Sequence, residues 1–122
     1  VTLGVGLGEG FGYPLVESLA CGTPVVHVDF AGGAELIPHP AWRVAPAAWR
    51  LESVNAVKRP VLAPQEVAAA LVAAGGWKRQ DRRRCEAYCS GAVSYLAWDT
   101  LWPRWRQWIR RGVEAQHGQR TT

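Results

Sequence analysis

Two glutamates, Glu9 and Glu17, bracket a glycine-rich stretch near the start of the sequence. Carboxylates accept hydrogen bonds from neighbouring hydroxyl groups, such as those of a ribose or a sugar ring. Seven residues separate the two acids. This spacing can place Glu9 on a loop and Glu17 about one turn into the helix that follows, so that both carboxylates face one ligand. The alternative interpretation is that both are ordinary surface acids near the start of a helix, where the helix dipole slightly stabilises their negative charge.

The residues between the glutamates predict a loop that leads into a helix. Gly8, Gly10 and Gly12 permit positive φ and a close approach of backbone to ligand. Pro14 is favoured at the first helical position, and Gly22 suits the C-terminal stop. The helix is predicted over residues 14–21, with apolar positions at helical spacing at Leu15, Val16, Leu19 and Ala20.

A helix N-terminus of this kind binds anions through its free N–H groups. Pro14 has no N–H, so the expected donors are the amides of Tyr13, Leu15 and Val16. The alternative is a glycine turn that serves only to pack the helix on the strand before it.

Strands are predicted on both sides of this helix, over residues 1–5 and 24–28. Strand, helix and strand within thirty residues indicate a right-handed βαβ unit in a parallel sheet. Ligands of such sheets bind outside the carboxyl ends of the strands. The loop over residues 6–13 leaves a strand at that end.

The remaining pattern predicts further short elements and three helices. Residues 31–40 read as a turn-rich connection, 42–44 as a short strand, and 49–51 with 60–62 as the arms of a hairpin or an inserted loop. Helices are expected over 64–74, ended by Gly75 and Gly76, over 78–90, and over 95–112 with Asp99 as the candidate N-cap. Residues 114–122 are polar and are expected to fray.

The eighteen residues E-G-F-G-Y-P-L-V-E-S-L-A-C-G-T-P-V-V, from Glu9 to Val26, resemble the signature of retaining glycosyltransferases with two Rossmann-like domains, the GT-B fold of the family 4 type. The A-G-G-A-E that ends at Glu35 resembles the G-G-x-x-E turn of the same family. The resemblance implies an α/β fold: a Rossmann-like parallel sheet with flanking helices, forming the C-terminal half of the donor-binding domain.

The resemblance also implies roles for individual residues. Glu17 would bind the ribose hydroxyls of a nucleotide sugar. Glu9 would be catalytic, close to the sugar that is transferred. Glu35 would lie near the nucleotide. The alternative for Glu35 is an acid that belongs to a turn and has no role in binding. The diphosphate and donor sugar would be cradled by the loop and the helix start, at Gly10, Phe11, Gly12, Tyr13, Leu15 and Val16.

The implied reaction transfers a sugar from a UDP-, GDP- or ADP-linked donor to an unknown acceptor with retention at the anomeric carbon. Neither a cofactor nor a metal is expected. Two alternatives are a nucleotide-sugar-processing enzyme of the same fold, either an epimerase or phosphorylase-like, and a non-catalytic binding module for nucleotide sugars.

The chain has 122 residues and no methionine, and we expect it to be a piece of a longer protein that is inactive by itself. Residues 1–94 would be the partial nucleotide-sugar-binding domain. Residues 95–122 would be a C-terminal helix and tail that pack back on an N-terminal domain.

The last helix carries an aromatic face interleaved with arginines. Docking on protein is the first interpretation of this face, and a peripheral contact with a membrane is the second. Nucleic-acid binding is not expected, because no groove-reading module is visible. The face comprises Trp98, Leu101, Trp102, Trp105, Trp108 and Ile109, and the arginines are Arg104, Arg106, Arg110 and Arg111.

The overall composition and the remaining reactive side chains have ordinary interpretations. The net charge is +4, there are three cysteines, and no apolar run approaches eighteen residues. We expect reduced thiols and a cytoplasmic protein, located either away from membranes or at the inner face of the membrane. His27 is expected to be a core histidine. Cys85 and Cys89 stand four residues apart, but a zinc site would need two more ligands.

Overall fold

The computed structural model describes residues 1–4, 11–53 and 56–119, with the backbone alone over 115–119. It is a mixed α/β structure with a three-stranded parallel sheet, a two-stranded antiparallel sheet and helices packed around them. The expected α/β class is therefore confirmed.

The parallel sheet contains β1 (Thr2–Gly4), β2 (Val25–Val28) and β3 (Arg43–Val44), in that spatial order. Leu3 pairs with Val26, and Val28 pairs with Val44. All four residues of the central strand β2 are buried. A parallel strand covered on both faces needs side chains that can be buried; three of the four residues of β2 are valines, and the fourth is His27.

Helix α1 (Tyr13–Ala20) lies between β1 and β2, as the sequence predicts. Gly22 follows it with φ of 69° and ends it. The Gly22 N–H donates to the Leu19 carbonyl and the Thr23 N–H donates to the Ser18 carbonyl, which is the Schellman pattern. The side chains of Thr2 and Ser18 form a hydrogen bond of 3.0 Å that ties β1 to α1.

Residues 31–42 contain two helical elements, where a turn-rich connection over 31–40 and a strand that begins at Trp42 were predicted. Helix α2 (Ala31–Glu35) follows β2, and a 3₁₀ turn (Pro40–Trp42) precedes β3. Ala31 has a positive φ of 57°. Two glycines in five residues give the helix little intrinsic propensity. Its packing against the buried side of the sheet must therefore hold it in place.

An antiparallel hairpin follows β3, with arms β4 (Ala48–Glu52) and β5 (Val57–Val61). Of the two alternatives left open by the sequence, the hairpin is confirmed. The Arg59 guanidinium is paired with the Glu52 carboxylate at 3.0 Å across the two strands. Opposite charges on neighbouring strands stabilise the pairing of the two strands.

Helix α3 (Pro64–Gln80) runs through Gly75 and Gly76, so the prediction that these glycines end it is wrong. Each glycine costs roughly 1 kcal/mol of helix propensity. Ala74 and Trp77 on either side of them are in the core or packed against it, and this packing outweighs the cost.

The predicted helix over 78–90 is also displaced. Residues 78–80 belong to α3, and helix α4 (Arg82–Ala92) begins after Asp81. The Arg84 N–H donates to Asp81 Oδ1 at 3.0 Å, so Asp81 is the N-cap of α4.

The C-terminal helix α5 (Trp98–Gln119) follows a second 3₁₀ turn, Ser94–Leu96. Tyr95 therefore lies in this turn and not in the helix. Asp99 lies in the first turn of α5 and is not its N-cap, because the Thr100 and Leu101 N–H groups donate to the carbonyl of Ala97. The helix continues to Gln119, beyond the point where fraying was expected.

The core lies between the parallel sheet and helices α1, α3 and α4. Its fully buried side chains include Leu19, Val25, Val26, Trp42 and Cys89. His27 is also buried, and its Nδ1–H donates to the Val28 carbonyl at 2.6 Å, which confirms it as a satisfied core histidine.

Candidate functional site

The carboxyl ends of β1 and β2 lie at the same edge of the sheet, because the two strands are parallel neighbours. Helix α1 follows the loop that leaves β1, and α2 follows β2. The residues that flank the two helices approach each other at this edge: a Cβ built on Gly12, before α1, would lie 3.6 Å from Leu36 Cδ1, after α2. The fold therefore brings the predicted residues at the start of α1 next to the residues around Glu35.

Gly12 has φ of 80° at the N-cap of α1. A Cβ at this position would also lie 3.0 Å from Leu15 Cδ1. Both the left-handed conformation and the tight contact favour glycine here. The glycine turns the chain sharply from the loop into the helix, so the start of α1 faces the edge of the sheet.

Phe11 and Tyr13 flank this glycine and form an exposed aromatic pair. Their ring centroids are 5.0 Å apart with an interplanar angle of 52°. Phe11 is 45% exposed and Tyr13 69% exposed. Two large rings that remain in solvent beside a helix start offer an apolar surface to a ligand.

The N–H groups of Leu15 and Val16 both donate to the Gly12 carbonyl, at 3.0 and 3.3 Å. They were expected to be free donors for an anion, and that expectation is wrong. Of the three expected donors, only the Tyr13 N–H is not bonded to the Gly12 carbonyl, because the two belong to the same peptide group. The Leu15 side chain is buried in the core, so its contribution is to hold the helix on the sheet.

Glu17 and Glu35 are both exposed. Neither carboxylate has a side-chain partner within the described ranges. Exposed acids near the carboxyl edge of a parallel sheet that have no such partner can accept hydrogen bonds from a molecule bound there.

Glu9 and Gly10 lie outside the described residues. The catalytic role of Glu9 and the donor-binding role of Gly10 therefore stay predictions from the sequence.

The hairpin adds an aromatic residue to this edge that the sequence analysis did not anticipate. Trp49 on β4 packs edge-on against Phe30, the N-cap of α2, with ring centroids 5.1 Å apart. Trp49 is 49% exposed. The sequence alone does not predict this contact. It depends on β4 folding back beside the end of β2, and no local sequence signal indicates that arrangement.

An aromatic cluster elsewhere in the fold also escaped the sequence analysis. The His39 ring stacks on Trp42 at 5.1 Å and lies 5.4 Å from Trp77. Trp77 lies 5.0 Å from Tyr88, whose hydroxyl donates to the Pro38 carbonyl at 2.9 Å. The cluster joins α3 and α4 to the segment before β3.

The cysteines offer no reactive thiol in the core. All three are free, with Cys21 exposed and Cys85 and Cys89 buried. Burial, and then the neighbouring Cys85, raises the pKa of the Cys89 thiol to about 12. A thiol with so high a pKa stays protonated and is a poor nucleophile and metal ligand at neutral pH.

No three or more His, Cys, Asp or Glu side chains in the described ranges are grouped so as to hold a metal ion. Over the same ranges, no helix has both the length and the apolar character needed to cross a membrane.

Comparison with known proteins assigns no family to the chain. No protein-family model matches it, and no curated protein matches it either. Any functional assignment therefore depends on the residues and their geometry at the edge of the sheet.

Proposed function

We propose that this chain is the C-terminal half of the Rossmann-like donor-binding domain of a retaining GT-B glycosyltransferase of the family 4 type. The intact protein would transfer a sugar from a UDP-, GDP- or ADP-linked donor to an acceptor. The observation that carries the proposal is the position of Glu17. It is an exposed acid, without a side-chain partner among the described residues, on a helix that starts at the carboxyl edge of a parallel sheet, close to Leu36, which follows Glu35.

The chemistry of donor binding fits these groups. The Glu17 carboxylate would accept hydrogen bonds from the two ribose hydroxyls, and Glu9 would approach the hydroxyls of the transferred sugar. Phe11 and Tyr13 would pack against the apolar faces of the donor. The Tyr13 amide and the positive end of the α1 dipole would favour the diphosphate.

The same groups would assist the reaction. When the glycosidic bond breaks, negative charge grows on the nucleoside diphosphate that leaves. Oriented dipoles that already point at this group stabilise the charge without reorganisation. The proposal assigns this task to the start of α1 and to basic groups of the intact protein, with no metal.

The reaction would take place in the cytoplasm. The acceptor is set by parts of the protein other than this edge.

Binding of nucleoside diphosphates to the intact protein tests the proposal. Replacing Glu17 by alanine removes hydrogen bonds to a charged acceptor, so we expect the dissociation constant of the preferred nucleoside diphosphate to rise roughly 10- to 100-fold. Glu66→Ala is the matched control, because Glu66 is also an exposed acid in the early part of a helix, but on α3. It should leave the dissociation constant unchanged.

Equal affinities for the wild type and the Glu17→Ala variant would contradict the assignment of Glu17 to the ribose. Equal losses in both variants would show a general effect of charge and would contradict it as well.

A further inference from the structure

Helix α5 carries an exposed apolar strip. Its four tryptophans are between 45 and 70% exposed. Trp98 stacks on Trp102 with ring centroids 5.4 Å apart, and Trp105 lies edge-on to Trp108 at 5.9 Å. With 3.6 residues per turn, these rings fall within an arc of roughly 140° around the helix. We call this arc the tryptophan strip; it also contains Leu101, Ile109 and Val113.

Arginines border the strip on both sides. The helical repeat places Arg106 and Arg110 along one border and Arg104 and Arg111 along the other. Between Asp99 and Glu114 the helix contains no acidic residue. In the part of the chain that the structure describes, none of these four arginines forms an ion pair. The opposite side of the helix presents Pro103 and Gln107.

We propose that α5 binds the surface of a membrane that contains anionic phospholipids, with its axis parallel to the membrane plane. The tryptophan rings would lie at the boundary between head groups and acyl chains, where amphipathic aromatic rings are most favourable. Arginine has a long apolar stem and a charged end, so each border residue can extend to a lipid phosphate while the strip enters the apolar layer.

The distribution of charge favours lipid over a second copy of this chain. Two strips that faced each other would bring arginine borders against arginine borders, and like charges in such an interface cost binding energy. An anionic membrane presents phosphates along both borders at once. The polar side with Gln107 would remain in water.

This inference goes beyond the proposed function and can fail while that function stands. The test is sedimentation of the intact protein with vesicles of phosphatidylcholine mixed with phosphatidylglycerol, compared with vesicles of phosphatidylcholine alone. We expect binding to the anionic vesicles, with a shift of tryptophan emission to shorter wavelength. Each arginine near the surface contributes about fivefold in partitioning, so Arg110→Gln should lower binding to anionic vesicles by about that factor.

A pair of matched variants tests the orientation of the helix. Trp105→Glu puts an acid in the centre of the strip, and Gln107→Glu puts the same acid on the opposite side. We expect Trp105→Glu to lower vesicle partitioning by about tenfold or more. Gln107→Glu adds only its charge and should lower it by no more than about fivefold.

Four outcomes would overturn the inference. The first is failure of the wild-type protein to bind anionic vesicles, which would indicate that the tryptophan strip binds a protein partner instead. The second is equal binding to neutral and anionic vesicles, and the third is an equal loss in Trp105→Glu and Gln107→Glu. Retention of the protein by RNA or DNA, but not by vesicles, would also overturn it in favour of nucleic acid.

Discussion

The imidazole of His27 lies so close to the backbone of Gly33 that a Cβ at residue 33 would lie 2.6 Å from His27 Cε1. His27 is the third residue of β2, and Gly33 is the central residue of α2. This contact seats α2 on the sheet and so determines where Glu35, two residues later, emerges at the candidate site.

Replacing Gly33 by alanine should therefore destabilise the protein. The added methyl group overpacks the buried contact with His27, and we expect the free energy of unfolding to fall by about 1–3 kcal/mol. Chemical denaturation measures this change. Gly76→Ala is the control, because nothing lies within 4 Å of a Cβ at residue 76 in the interior of α3. It should raise stability by about 0.5–1 kcal/mol. Equal stabilities of the two variants would rule out the tight contact.

A second prediction concerns the junction between α3 and α4. Asp81→Ala removes the side-chain oxygen that accepts the Arg84 N–H, and we expect it to cost about 1 kcal/mol of stability. Asparagine keeps an acceptor at the same place, so Asp81→Asn should remain close to the wild type in urea denaturation. If alanine and asparagine behaved alike, the capping role of Asp81 would be excluded.

A third prediction concerns alkaline pH. The pKa of the Cys89 thiol rises from an ordinary value of 9.0 to about 12 in the folded protein, chiefly through burial. Below pH 9 the thiol is protonated in both states, and its contribution to stability is fully present. Above pH 9 the unfolded state loses this proton and the folded state does not, so stability should fall as the pH rises from 9 to about 12.

The slope of stability against pH checks this prediction. Cys89→Ala should be less stable at neutral pH because it leaves a small cavity, but its stability should fall less steeply above pH 9. Cys21→Ala is the control, because Cys21 is exposed and should leave the slope unchanged. Parallel curves for the wild type and Cys89→Ala would contradict the raised pKa.

A fourth prediction separates the two glutamates of the candidate site. Under the proposed function, Glu9→Ala should mainly lower kcat of the intact protein, by roughly 100-fold, because it would remove stabilisation that develops in the transition state. Glu17→Ala should mainly raise the KM for the donor, because it removes ribose binding. Steady-state kinetics with the preferred donor distinguishes the two effects. Wild-type kinetics in both variants would show that the site has been assigned to the wrong residues.

The parts of the fold that the sequence predicted correctly have local causes. The buried β2 follows from an apolar run between turns. The end of α1 follows from Gly22, whose positive φ and two capping hydrogen bonds are what a glycine after a helix predicts. The start of α1 likewise follows from the pair Gly12 and Pro14. In each case, residues within one or two turns of each other determine the structure.

The predictions of the fold that proved wrong fail because of contacts between residues far apart in the sequence. Gly75 and Gly76 do not end α3, because Trp77 packs against Trp42 and Tyr88, which lie far from it in the sequence. The short α2 depends on the contact of Gly33 with His27 in the sheet. At the candidate site, the structure places Gly12 and the exposed Glu17 at the start of α1, and ligand binding at this edge stays a prediction. The neighbouring Trp49 depends on how the hairpin folds back and has no local signal.

The most direct test of the proposed function is donor binding and hydrolysis by the intact protein. UDP-, GDP- and ADP-sugars would be screened without added metal, with acceptor omitted. We predict saturable binding of one class of donor and its slow hydrolysis, which would also identify the nucleotide. Failure of every donor to bind, with Glu9 and Glu17 intact, would contradict the proposal that this edge of the sheet holds a nucleotide sugar.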